Sequence, residues 1–160
     1  MAKKTLVAYF SASGVTAALA ERLAGAIGVD LHRIQPVTPY SEADLDWRDK
    51  NSRSSVEMNE KSFRPPIANH VENMDDYDKI YIGFPIWWYV APTIINTFLE
   101  QYDLSGKTII PFATSGSSGM GRTNEELKAS CEGSILKEGR RFSADADAAE
   151  LNFYCCPSDY

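Results

Sequence analysis

Hydrophobic and polar positions along the chain switch between two periods. Residues 5–10 form a short run of β-branched and aromatic types, far below membrane-spanning length and suited to a buried strand. After Ser11, Ser13, Gly14 and Thr16 the spacing changes. Leu19, Leu23 and Ile27 recur every four residues, the helical period, and Gly28 suits the C-cap. Residues 29–34 read as a second strand, and Asp30, His32 and Arg33 predict an edge position for it. Residues 38–61 are the least apolar part of the chain. Tyr40, Leu45, Trp47, Val56 and Met58, scattered among charges, predict one or two surface helices packed by those residues, Trp47 as a core anchor. Two prolines then hold residues 63–67 extended.

Residues 78–84 are the clearest strand after the first, and they run into Pro85-Ile86-Trp87-Trp88-Tyr89. Pro92 suits a first helical turn, and Ile94, Ile95, Phe98, Leu99 and Tyr102 make one apolar face. Residues 107–113 form the next strand despite Pro111, which removes a ladder hydrogen bond. A loop of glycines and hydroxyls, residues 114–121, leads to a helix opened by a Thr123/Glu126 capping box, with Leu127 and Cys131 inward. The last strand falls within residues 134–142. The helix after it, residues 143–151, is only about two turns long.

Composition narrows the class. A chain of 160 residues suits one domain, residues 1–160, with a layered core. The formal charge of −6 argues against a nucleic-acid surface and fits docking to basic partners. The N-terminus lacks the apolar stretch of a signal peptide, and no run is long enough for a membrane span. Three cysteines do not make a disulfide framework, so the cytoplasm is the expected compartment. The adjacent Cys155 and Cys156 read as incidental. His32 and His70 have no ligand-spaced companions, and no metal site is expected.

Strand, hydroxyl-rich turn and helix in that order aim backbone N–H groups and a helix dipole at one spot, a site for an anion. Between Phe10 and Ala20 there is no lysine or arginine, which excludes a nucleoside triphosphate loop. The single Gly14 excludes a dinucleotide fingerprint. One terminal phosphate, or a plain N-cap turn, remains. Trp87, Trp88 and Tyr89 in a turn serve either as a stacking platform for a flat ligand or as rings folded back onto the core. Residues 114–121 let backbone approach a ligand closely, or form a flexible loop.

Y-F-S-A-S-G-V-T, residues 9–16, resembles the phosphate loop of the flavodoxin family, with Ser13 and Val15 where threonine and asparagine are frequent. P-I-W-W, residues 85–88, resembles the flavin-contacting loop of a short bacterial subgroup. Residues 114–121 are similar to the second flavin loop, with Ser117 where glycine is common. The resemblance runs from Lys4 to about Phe142. It implies a three-layer α/β fold with a doubly wound five-stranded parallel sheet, order 2-1-3-4-5, here with an atypically short C-terminal helix. Flavodoxin is itself a standing example of ligand binding at the carboxyl edge of such a sheet.

The cofactor the resemblance implies is FMN. Hydroxyls of Ser11, Ser13 and Thr16, with amides of Gly14, Val15, Thr16 and Ala17, would hold its phosphate. Pro85, Ile86, Trp87 and Trp88 would meet the ring, and Thr114, Ser115, Gly116, Gly119 and Gly121 would line its edge. No side chain is expected as a catalytic acid or base. The implied activity is electron transfer with redox partner proteins. The alternatives are an NAD(P)H oxidoreductase of quinone or azo reductase type, with Arg122 facing the pyridine nucleotide, and a non-redox relative. The short final helix also predicts a sheet face covered by the tail or by a second copy, as a homodimer.

Overall fold

Alternation along the first strand sends its side chains into two separate cores. In the computed structural model, which describes residues 4–11, 14–46, 48–60, 62–87, 91–114, 123–137 and 139–142, this strand is β1 (Lys4–Tyr9). It lies between β2 (Asp30–Arg33) and β3 (Tyr77–Pro85), parallel to both. Next come β4 (Thr108–Thr114) and the short β5 (Ile135–Leu136), giving the order β2-β1-β3-β4-β5 expected from the sequence. A sixth piece, β6 (Arg140–Phe142), also pairs with β4.

Leu6, Ala8, Phe10, Ile80, Ile82, Phe84, Ile109 and Ala113 face one way. They are covered by Ile94, Ile95, Phe98 and Leu99 of α3 (Thr93–Glu100) and by Leu127 of α4 (Thr123–Lys128). Each of the fully buried Leu, Ile and Phe side chains stabilises the fold by about 1.5–3 kcal/mol. On the opposite face Val7, Tyr9, Tyr81 and Phe112 pack with Leu19, Ala20, Leu23 and Ala24 of α1 (Val15–Ile27). The helix stops at Gly28, whose left-handed φ of 68° lets its N–H reach Ala24 O at 2.8 Å. Gly83 belongs to this second face. A Cβ there would lie 2.3 Å from Phe112 Cζ, so the bare glycine is what lets the Phe112 ring cross β3.

The last strand is split, and Pro111 explains it. Ile109 pairs with Leu136 and Phe112 with Arg140, so three steps along β4 match four on the partner, a bulge. Ile135 N donates to Lys107 O and Lys137 N to Ile109 O, so odd-numbered residues of β4 face this edge. The next donor in line for Lys137 O would be the N–H of residue 111, which proline lacks. Asn124 of α4 takes its place. Its Nδ2 donates to Lys137 O at 2.7 Å, and its Oδ1 accepts from Gly139 N at 3.2 Å.

Residues 38–61 hold a 3-10 turn, Ala43–Leu45, and one helix, α2 (Arg53–Asn59). The expectation that Val56 packs this helix is corrected. Val56 is 48% exposed, whereas Glu57 is 2% exposed and faces inward with Ser54 and Ser55. Trp47 and residues 143–151, on which a core anchor and a short closing helix were predicted, lie outside the described residues. On the sheet face for which a bare patch was predicted, Tyr81, Phe112 and Phe142 are buried and Ile110 is half-buried.

Candidate functional site

Because β1, β3 and β4 are adjacent and parallel, their chain exits lie at one edge of the sheet. The first exit folds into a turn. Gly14 N donates to Ser11 Oγ at 3.0 Å, and Gly14 itself sits at φ 93° in the left-handed region, with open space around it. It heads α1 without any side-chain cap bond, and the first turn carries no acidic residue. The helical ladder begins with Ala18 N donating to Gly14 O at 3.1 Å. The amides of Val15, Thr16 and Ala17 therefore have no helical carbonyl to bond. With Gly14 and Val15 exposed, an anion arriving here meets N–H groups and the positive end of the helix dipole.

Thr16 and Thr114 were assigned from sequence to different parts of a ligand. Their hydroxyls meet at 2.7 Å, joining the first and third loops across 98 residues. Both are buried, at 2% and 3% exposure. A hydroxyl donates one bond and accepts two, so whichever accepts keeps its own proton to donate onward. A backbone bond from Ile86 N to Thr114 O, 3.1 Å, ties the second loop to the third. At the head of α3, near that loop, the buried Thr93 hydroxyl has no hydrogen-bond partner among the described residues.

Pro85, Ile86 and Trp87 are half-buried. Trp87 packs edge-to-face with Phe10 (centroids 5.8 Å apart, planes at 88°) and with Tyr40 (5.6 Å, 70°). Phe10 and Tyr40 meet at 5.5 Å and 66°. Part of the indole thus rests on the domain's own core, and the remainder is open. Nothing in the local pattern marks Tyr40 as a neighbour of this loop, because it sits in an aperiodic segment after β2. Its hydroxyl donates to Glu57 Oε1, and the Arg53 guanidinium lies 3.8 Å from its ring centroid. Arg53 donates from Nε to Glu57 Oε2 at 3.0 Å and from Nη1 to Thr38 O at 2.6 Å. Burial first, then the bond to Glu57, pushes the Tyr40 hydroxyl far above its ordinary value of 10.0, so it stays a donor.

Ser13, Trp88, Ser115, Gly116, Gly119, Gly121 and Arg122 lie outside the described residues. Among the described residues no cluster of His, Cys, Asp or Glu could hold a metal ion, and no helix is long and apolar enough to cross a membrane. Cys131 is buried against Leu127 O, and burial raises its thiol above the usual value.

Comparison with known proteins identifies the family. The family model for flavodoxin matches residues 4–155. Among solved structures, a protein from Bacteroides eggerthii assigned as a flavoprotein is 50% identical, with a TM-score of 0.90 and 96% of each chain covered. One from Bacteroides uniformis, similarly assigned, is 47% identical, with a TM-score of 0.91 over 97% of this chain and 99% of that one. A flavoprotein from Lactobacillus acidophilus, solved in complex with FMN, is 25% identical with a TM-score of 0.73, covering 96% of this chain and 99% of the other. A search of curated proteins finds no match.

Proposed function

The chain belongs to the flavodoxin family, and from that premise we propose that it binds FMN and serves as a soluble electron-transfer protein of the cytoplasm. One observation carries the reading. Loops from β1, β3 and β4 meet at a single sheet edge, where uncapped amides, a half-open indole and a shared pair of threonine hydroxyls lie side by side. The amides of Val15, Thr16 and Ala17 suit one terminal phosphate, with no carboxylate in the first turn to repel it. Ser11, Ser13 and Gly14 complete that nest. Trp87 and Trp88 suit the flat ring, and Thr114, Ser115, Gly116, Gly119 and Gly121 suit its polar edge. When bound, FMN supplies the redox chemistry, accepting and releasing electrons one or two at a time.

The chain's own residues bind, orient and shield. The formal charge of −6 favours basic protein partners. Two measurements test the reading. Purified protein should take up FMN in preference to FAD and riboflavin and show a flavin absorption spectrum; a protein that ignores added FMN ends the proposal. Anaerobic mixing with NADH or NADPH should leave the flavin oxidised until a separate reductase is added. Rapid direct bleaching, with turnover on a quinone, would replace the carrier by an NAD(P)H oxidoreductase.

A further inference from the structure

We propose that the Arg53–Glu57 pair of α2 is a positioning device for Trp87, acting through Tyr40. A helix outside the three binding loops then sets how firmly a flat ring is held. The inference rests on the reading above, that Trp87 packs against the flavin.

The polarity of α2 is inverted. On α2 the apolar Val56 is turned to solvent and the carboxylate of Glu57 is turned in. Burying a carboxylate is costly unless it is paired and hydrogen-bonded, and for stability alone an apolar side chain at position 57 would serve as well or better. Here both oxygens are engaged, Oε1 by the Tyr40 hydroxyl and Oε2 by Arg53 Nε. Arg53 is held in turn by Thr38 O, by Glu57 and, more loosely, by Asp44 at 3.9 Å. From that anchorage its guanidinium lies 3.8 Å from the Tyr40 ring centroid.

Tyr40 is consequently fixed twice, at its hydroxyl by Glu57 and across its ring by Arg53. Among the described residues the ring's other aromatic contacts are Phe10 and Trp87. Phe10 is fully buried and cannot yield. Trp87 leans on one ring locked in the sheet core and on another locked to α2. A tryptophan on a loop would otherwise sample several rotamers and be ordered only when a ligand arrives. Ordering it beforehand removes that cost from binding.

The test uses Tyr40→Phe, which keeps the ring and removes its tether, and Glu57→Gln, which keeps the shape and removes the charge. Each is titrated with FMN and riboflavin, and with inorganic phosphate as competitor. Both flavins should weaken by the same factor, about two- to tenfold, the cost of ordering one side chain on binding, with phosphate affinity unchanged. The visible circular dichroism of bound flavin should shrink, and its midpoint potential should shift. In the apoprotein the indole N–H resonance of Trp87, sharp in the parent, should broaden in both variants. A parent that binds no flavin overturns the functional reading itself. A parent that binds, with variants that match its riboflavin affinity, dichroism and indole line while only melting earlier, overturns the positioning role alone. Should Glu57→Gln fail to fold, Tyr40→Phe decides by the same readouts.

Discussion

Replacing Gly83 by alanine is the sharpest test of the packing beneath the site. The new methyl would sit 2.3, 2.5 and 2.9 Å from Cζ, Cε2 and Cε1 of Phe112, against a normal carbon separation of about 3.5–4.0 Å. Phe112 has no exposed surface and is packed among Val7, Leu19, Leu23 and Tyr81, so its ring cannot swing clear. Overpacking of this kind costs about 1–3 kcal/mol. Alanine also restricts the unfolded chain, which returns about 0.4–1 kcal/mol, because residue 83 is not in the left-handed region. With approaches this short the cost falls in the upper half of that range, so the net expectation is a loss of about 1–2.6 kcal/mol, or a Tm lower by about 2–10 °C for a chain of this size. The urea midpoint should fall with its slope unchanged. Trimming the ring supplies the control: Gly83→Ala with Phe112→Leu should be less destabilised than the sum of the two single variants. A Gly83→Ala protein as stable as the parent, or strict additivity in the double variant, would refute the reasoning.

Other expectations follow from single contacts. Ser11→Ala with Thr16→Val should weaken FMN far more than riboflavin, by about tenfold to a hundredfold for each bond lost to a charged phosphate; fluorescence titration that finds equal losses would place the phosphate elsewhere. Asn124→Ala removes both bonds that Lys137 O and Gly139 N make opposite Pro111 and, with water able to reach them, should cost about 0.5–1.5 kcal/mol in chemical denaturation. His32 has its pKa lowered from 6.5 by burial and then by His70, and its Nε2 is buried without a partner among the described residues. The unfolded chain therefore takes up the proton first, so the stability contribution is complete above 6.5 and declines as pH falls below it. His32→Gln should flatten that decline when melts at about pH 7.5 and 5.5 are compared, and an unchanged slope would exclude His32 as its source.

What could be read from the chain was whatever repeats. The short apolar runs of β1, β3 and β4 and the four-residue recurrence of Leu19, Leu23 and Ile27 located those strands and α1, because burial on a regular element leaves a regular trace. The order of the sheet came from the resemblance of the loops to flavodoxin. The loops were legible through residue type and through their position after strands. What stayed hidden was non-local. Nothing near Tyr40 announces that it lies between Phe10 and Trp87. Hydropathy put Val56 inside and could not single out Glu57, because it scores residues singly and cannot see that Tyr40 and Arg53 satisfy both carboxylate oxygens. Pro111 looked like an objection to a strand until its missing donor was matched to Asn124, which comes from the following helix. The meeting of Thr16 with Thr114 likewise needs the sheet to be assembled first.

The broken last strand has a consequence for how copies of this chain treat one another. An intact terminal strand presents a row of unsatisfied donors and acceptors on which a neighbouring molecule can extend the sheet. Here that border is two pieces of two and three residues, offset by a bulge, with Lys137, Arg140 and Arg141 in or beside them. The opposite border, β2, is four residues long, and the chain just beyond it is closed by residues 66–69. Asn69 bonds Arg33 O and Gln35 N, Ala68 N bonds Gln35 O, and Pro36 bridges Ile67. Among the described residues neither flank offers a long straight ribbon for another chain to zip onto. A flavodoxin-like sheet needs its carboxyl edge open for a ligand. This one keeps its two lateral borders poor templates for aggregation, so that openness at the site does not become stickiness at the flanks.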